Sequence, residues 1–194
     1  MEPRLIRPDV YWLGAVDWNR RLFDALIPLP DGTSYNAYLV RGSSATALLD
    51  AVDPAMMETL LGQLRKVERI DYIVAHHGEQ DHSGAIPAVL ARYPQARVLV
   101  TAQGRDLLVD HLHLSAAQCD VVADGETLSL GGKTLEFIHT PWVHWPETMV
   151  TYLREERLLF SCDFFGAHLA TTDLYVRDEA QVYEAAKRYF AEIM

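Results

Sequence analysis

The stretch that most restricts this chain is His76-His77-Gly78-Glu79-Gln80-Asp81-His82, directly after the apolar run Tyr72-Ile73-Val74. If the strand predicted over 70–75 runs on through it, His77, Glu79 and Asp81 project to one side of the backbone. His82 then turns with the chain into the helix that Ser83-Gly84-Ala85-Ile86-Pro87 opens, so one loop presents four ligands towards a single point. Without a cation, two carboxylates gathered in a partly dry pocket force one of them to take up a proton. A divalent metal reverses the sign of that cost. Oxygen and nitrogen donors without thiolates suit iron, manganese or zinc, and the mixture of His with Glu and Asp is hard enough to favour iron.

Such a site needs a scaffold, and 194 residues suffice for one domain with a real core but not for two comfortable ones. At 49% hydrophobic and 23% charged residues the composition is ordinary for a globular domain. A net charge of -10 without a basic patch argues against a nucleic-acid partner. No long apolar segment follows the N-terminal Met1-Glu2-Pro3-Arg4, so neither a signal peptide nor a membrane span is expected, and the chain is placed in the cytoplasm. Cys119 and Cys162 form no Cys-x-x-Cys pair, which agrees with a reducing compartment. Cys162 reads as a small buried hydrophobe directed away from Asp163.

Along the chain, residues 10–16, 34–40 and 46–50 read as a β-meander with turns at 30–32 and 41–44. Met56, Met57, Leu60, Leu61 and Leu64 fall at helical spacing behind Asp53 as N-cap and Pro54 at the first helical position. Strand 70–75, helix 83–92 and strand 97–101 make a βαβ unit, so part of the sheet is parallel. Ligands in such sheets collect at the carboxyl ends of the strands, where the cluster lies. A helix around 103–110 leads to His111-Leu112-His113, which reads as surface. Short strands follow at 121–122, 127–130 and 133–138, then a hairpin of 150–153 with 158–160. His144 and Asp163 each lie in a loop beside that hairpin and join the candidate ligands, whereas His139 and His168 read as structural hydrogen-bonding residues. The tail, 178–194, is an amphipathic helix. Gly131-Gly132 is an isolated turn and nothing resembles a phosphate-binding loop, so no flavin- or nucleotide-binding domain is expected within these residues.

Together, His77-x-Glu79-x-Asp81-His82, His144-Trp145-Pro146-Glu147-Thr148-Met149 and Ser161-Cys162-Asp163-Phe164-Phe165-Gly166 resemble the metallo-β-lactamase-like domain of the flavodiiron proteins. Residues 12–19 and 33–39 look like the same family, so the resemblance covers essentially the whole chain. Glu79 is its most specific element, because hydrolytic members of the superfamily usually carry histidine there. The resemblance implies an αββα sandwich over residues 1–194 that lacks its last strand or two and the flavodoxin-like domain. It implies that His77, Glu79 and His144 hold one iron, Asp81 and His82 the second, and that Asp163 bridges them. The implied activity is reduction of dioxygen to water or of nitric oxide to nitrous oxide, with electrons from FMN on a partner chain or missing domain. A flavodoxin-like or rubredoxin-type donor and a head-to-tail homo-oligomer belong to that picture, with Trp145 a candidate flavin-facing residue.

Two departures accompany the resemblance. Relatives supply the second iron with a further histidine from a later strand, and Asp24 stands where many of them have histidine near the irons. Three other readings stay open at this stage: a flavin-independent oxygen-binding diiron sensor, a zinc-dependent hydrolase, which Glu79 argues against, and a chain whose site is only half filled.

Overall fold

Residues 2–194 are described by this computed structural model, and the meander forms with additions that the sequence pattern does not announce. β1 (Arg4–Arg7) pairs antiparallel with β2 (Val10–Asp17), and β3 (Leu22–Phe23) with β4 (Ile27–Pro28) makes a small separate hairpin. β5 (Thr33–Arg41) then pairs with β2 along its length, and β6 (Thr46–Leu49) returns antiparallel to β5. From β6 the sheet grows in parallel through β7 (Tyr72–Val74), β8 (Arg97–Val100) and β9 (Cys119–Val121), in the order β1-β2-β5-β6-β7-β8-β9. The connections carry α1 (Met57–Gln63), α2 (Gln80–Ser83), α3 (Ile86–Arg92) and α4 (Ala102–Leu112).

The central strands bury both faces, which is why 46–49 and 72–74 read as apolar runs without alternation. Leu48, Ile73 and Val98 point to the helices, where they meet Leu60, Leu64, Ile86, Val89 and Leu108. Leu49, Val74 and Leu99 point the other way, onto a second, antiparallel sheet of β10 (Thr127–Ser129), β11 (Thr134–His139), β12 (Met149–Leu153) and β13 (Leu158–Phe160). Leu135, Phe137, Met149, Leu153 and Phe160 supply its inner face. Each such aliphatic or aromatic side chain removed from water stabilises the sandwich by about 1.5–3 kcal/mol. α5 (Glu179–Ile193) follows the second sheet and buries Ala185 and Tyr189.

Local chemistry starts the helices as the sequence implies. Asp53 accepts from Ala55 N–H and caps a 3-10 turn, Pro54–Met56, that runs into α1, Thr101 accepts from Gly104 N–H at the start of α4, and Asp178 accepts from Gln181 N–H at the start of α5. Between α2 and α3 the chain passes so close to Pro54 that a Cβ on Gly84 would lie 2.6 Å from its ring and 2.5 Å from Gln80 O. Among the described residues no helix is long and apolar enough to cross a membrane.

Candidate metal centre

The strand that leads into the cluster stops at Val74, so the alternation expected through His77, Glu79 and Asp81 is not how these residues meet. The reason is competition for the backbone. His76 N–H donates to Asp50 Oδ1 at 2.9 Å, Met149 N–H donates to His76 O, and Gly78 N–H donates to Glu147 Oε1 at 3.0 Å. Ala75 N–H still reaches Leu99 O on β8, but beyond it these partners draw 76–78 out of the parallel ladder, Met149 and Glu147 pulling them towards the second sheet. His77 and Glu79 therefore sit on irregular backbone, whereas Asp81 and His82 sit on α2. His144 comes from the loop before β12 and Asp163 from the turn after β13.

All six expected side chains are nevertheless brought together. His77 Nε2, Glu79 Oε2 and His144 Nε2 are each 3.2 Å from one another. Asp163 Oδ2 lies 3.3 Å from His144 Nε2 and 3.6 Å from His77 Nε2, and its Oδ1 lies 3.0 Å from His82 Nε2. Asp81 Oδ2 is 3.5 Å from the same His82 nitrogen. Asp163 thus offers one oxygen to each half of the group. Trp145 stands edge-on to His77, ring centroids 4.9 Å apart, and borders a surface groove of about 400 Å3 together with Asp24, Glu79 and His111.

Donor chemistry decides whether a metal suits these residues. Burial opposes ionisation of Glu79, but hydrogen bonds from His144 and His77 outweigh it and bring the carboxyl down to about 2. Asp163 is likewise held well below the usual carboxylate range against its burial, by His82 and then by His144 and His77. Asp81 goes the other way, to about 6, because burial and the neighbouring Asp163 and Glu79 outweigh the attraction of His82. His144, despite burial, is raised to about 9 by Asp163 and Glu79. Protons on the histidines hold three acidic side chains together, and incompletely: Asp81 Oδ1 and Asp163 Oδ2 are buried without a hydrogen-bond partner. Converging imidazole nitrogens and carboxylate oxygens with unsatisfied buried acceptors fit a divalent cation in place of those protons.

Several residues that matter here carry no obvious local signal. Glu147, 2% exposed, accepts from His77 Nδ1–H at 2.7 Å. His76, although inside the opening cluster, faces away from the group: its Nδ1 lies 2.8 Å from Asp50 Oδ2 and its Nε2 2.7 Å from Thr151 Oγ1, joining the two sheets. Cys162 is a correction: it is half-buried rather than buried, and its thiol ends 3.4 Å from His82 Nδ1, behind a candidate ligand. Asp24, in the left-handed region at φ 48°, reaches Glu79 from the β3–β4 turn, and burial and that neighbour raise its carboxyl. His139 bonds Val122 O and His168 lies between Phe23 and Tyr189 against Thr33 Oγ1. His111 and His113 are exposed.

A mixed sheet and an antiparallel sheet stacked face to face, with acidic and histidine side chains gathered past the end of β7 and beside β12 and β13, define a metallo-β-lactamase-like domain. The chain belongs to the family described as ODP family beta lactamase, whose model matches residues 33–194. It is 39% identical to the type A flavoprotein fprA of Rhodobacter capsulatus over 99% of this chain and 45% of that protein. It is 38% identical to the nitric oxide reductase of Moorella thermoacetica over 100% of this chain and 50% of that one. Among solved structures, the rubredoxin oxygen:oxidoreductase of Desulfovibrio gigas matches with a TM-score of 0.94 at 34% identity, over 99% of this chain and 49% of that chain. The resemblance to flavodiiron proteins and the two-sheet fold it implies are both borne out. The chain spans about half the length of the curated relatives it matches.

Proposed function

We propose that residues 1–194 carry the diiron centre of an enzyme that reduces dioxygen or nitric oxide. The observation that supports it most is the position of Asp163, one oxygen towards His77 and His144 and the other towards His82, in a group whose Glu79 replaces a third ring nitrogen. On this reading His77, Glu79 and His144 hold one iron, Asp81 and His82 the other, and Asp163 lies between them. When bound, the pair would supply two adjacent redox centres for a small diatomic substrate.

The chain's own residues do the rest. Asp163 and Asp81 would bring negative charge to balance that of bound iron. A cavity of about 190 Å3, walled by Tyr38, Phe160, Phe165, His168 and Tyr189 and floored by Asp81, His82 and Asp163, gives a small molecule access to the second half. Trp145 and Glu79, on the opposite groove, would face FMN carried by a flavodoxin-like domain of a partner chain, in a head-to-tail homo-oligomer fed by a flavodoxin-like or rubredoxin-type donor in the cytoplasm. The names of the relatives, nitric oxide reductase and rubredoxin oxygen:oxidoreductase, support both gases. Anaerobic reconstitution with ferrous iron tests the reading: two irons per chain, an absorption change on exposure to oxygen and re-reduction by a reduced flavoprotein are expected. One zinc bound in preference to iron, with no response to oxygen, would overturn it in favour of a hydrolase.

A further inference from the structure

The two histidines at the heart of the group are backed very differently. His82 Nδ1 stands 3.7 Å from Asp50 Oδ2 and 3.4 Å from Cys162 Sγ, whereas His77 Nδ1 meets Glu147 Oε1 at 2.7 Å. We propose that Glu147 is a positioning residue that fixes the tautomer and orientation of His77 and through it the affinity of the half built on His77, Glu79 and His144. This rests on the metal-centre reading above.

Several observations carry it. One oxygen of Glu147 takes both the His77 ring proton and the Gly78 N–H, so it sets the ring and the peptide that follows it. With a proton held on Nδ1, Nε2 is the nitrogen left facing Glu79 and His144, the one a metal would take once its own proton is displaced. The other oxygen, Oε2, is buried without a partner, so among the described residues His77 is the one side chain that donates to the carboxylate. Glu147 is itself anchored, because Thr101 Oγ1, which caps α4, donates to its carbonyl at 2.8 Å. Room for the carboxylate is kept by Gly78, where a Cβ would lie 3.3 Å from Oε1 and 3.4 Å from Leu107 Cδ1. A carboxylate behind an imidazole makes the opposite nitrogen a stronger donor, and removing such a partner commonly weakens metal binding by about 10–100-fold. Glu147 lies three residues after His144, so one loop delivers a ligand and the support for another.

The test uses the full chain with zinc, a redox-silent probe, in competition with a chromophoric chelator. Glu147→Gln keeps the shape and removes the charge: zinc affinity should fall by about 10–100-fold while the metal-free chain melts as wild type does. In the zinc-loaded wild type, 15N-detected histidine spectra should show His77 protonated at Nδ1 and metallated at Nε2, a signature that a merely structural Glu147 would not require. Equal zinc affinity in wild type and Glu147→Gln, or a His77 protonated at Nε2, overturns the inference. The spectrum of the wild type decides even if the variant does not fold. A wild-type chain that binds no zinc and no ferrous iron defeats the metal-centre reading itself, which separates the two failures.

Discussion

One half of the centre is clamped and the other is open. His77, Glu79 and His144 converge at 3.2 Å from irregular backbone that Glu147, Asp50 and β12 hold through hydrogen bonds. Asp81 and His82 sit on a four-residue helix, with Asp81 Oδ2 3.5 Å from His82 Nε2 and Asp81 Oδ1 unsatisfied. They look onto the cavity beneath Phe160 and Tyr189. Rigidity on one side and an open position on the other is the division expected where one metal anchors the site and its neighbour exchanges ligands with substrate. The two halves are therefore expected to bind metal unequally.

The largest effect should come from the residue that both halves share. Asp163→Ala is expected to lose the second metal altogether and to weaken the first, read as iron per chain after anaerobic reconstitution and desalting. Retention of two irons would remove Asp163 from between them. Next come the two histidines, compared directly: His77→Gln should abolish the tighter binding step and leave at most weak binding, whereas His82→Gln should leave one tight metal per chain. Equal losses in a stepwise titration would mean that the halves are equivalent.

Acidity sharpens the same comparison. Although burial lowers the basicity of His144, Asp163 and Glu79 hold a proton on it up to about 9, and a metal must displace that proton. Zinc affinity should therefore fall by about tenfold or more for each unit of pH below that value. Below about 6 the slope should steepen, because burial with Asp163 and Glu79 puts a proton on Asp81 as well. Chelator competition across this range measures both slopes, and a pH-independent affinity would contradict the assignment of these groups. Smallest is Cys162→Ala, which removes a contact behind His82: binding at the second position should weaken by less than about tenfold with stoichiometry intact. A larger loss would make the thiol part of the centre.

Much of this was legible in the sequence, for identifiable reasons. The βαβ unit showed in the apolar runs around Tyr72-Ile73-Val74 and Arg97-Val98-Leu99-Val100, and Asp53-Pro54 marked a helix start by local chemistry alone. Residue types and loop positions singled out His77, Glu79, Asp81, His82, His144 and Asp163, although their convergence was expected for a partly wrong reason. The strand ends early because Asp50 and Glu147, 26 and 69 positions from their partners, take backbone N–H groups that alternation would have assigned to the sheet. No local pattern carries that information. β1 and the β3–β4 hairpin were missed because four or two residues are too few for periodicity to show. Glu147 has no role assigned by the sequence, and only the cross-sheet approach of His77 gives it one.

The most direct test of the central claim is a stepwise anaerobic titration of the metal-free chain with ferrous iron, following bound metal per chain. Two irons should be taken up in two resolved steps, the tighter one lost in His77→Gln and the weaker one lost in His82→Gln. A single step of one metal, insensitive to His82→Gln, would contradict it.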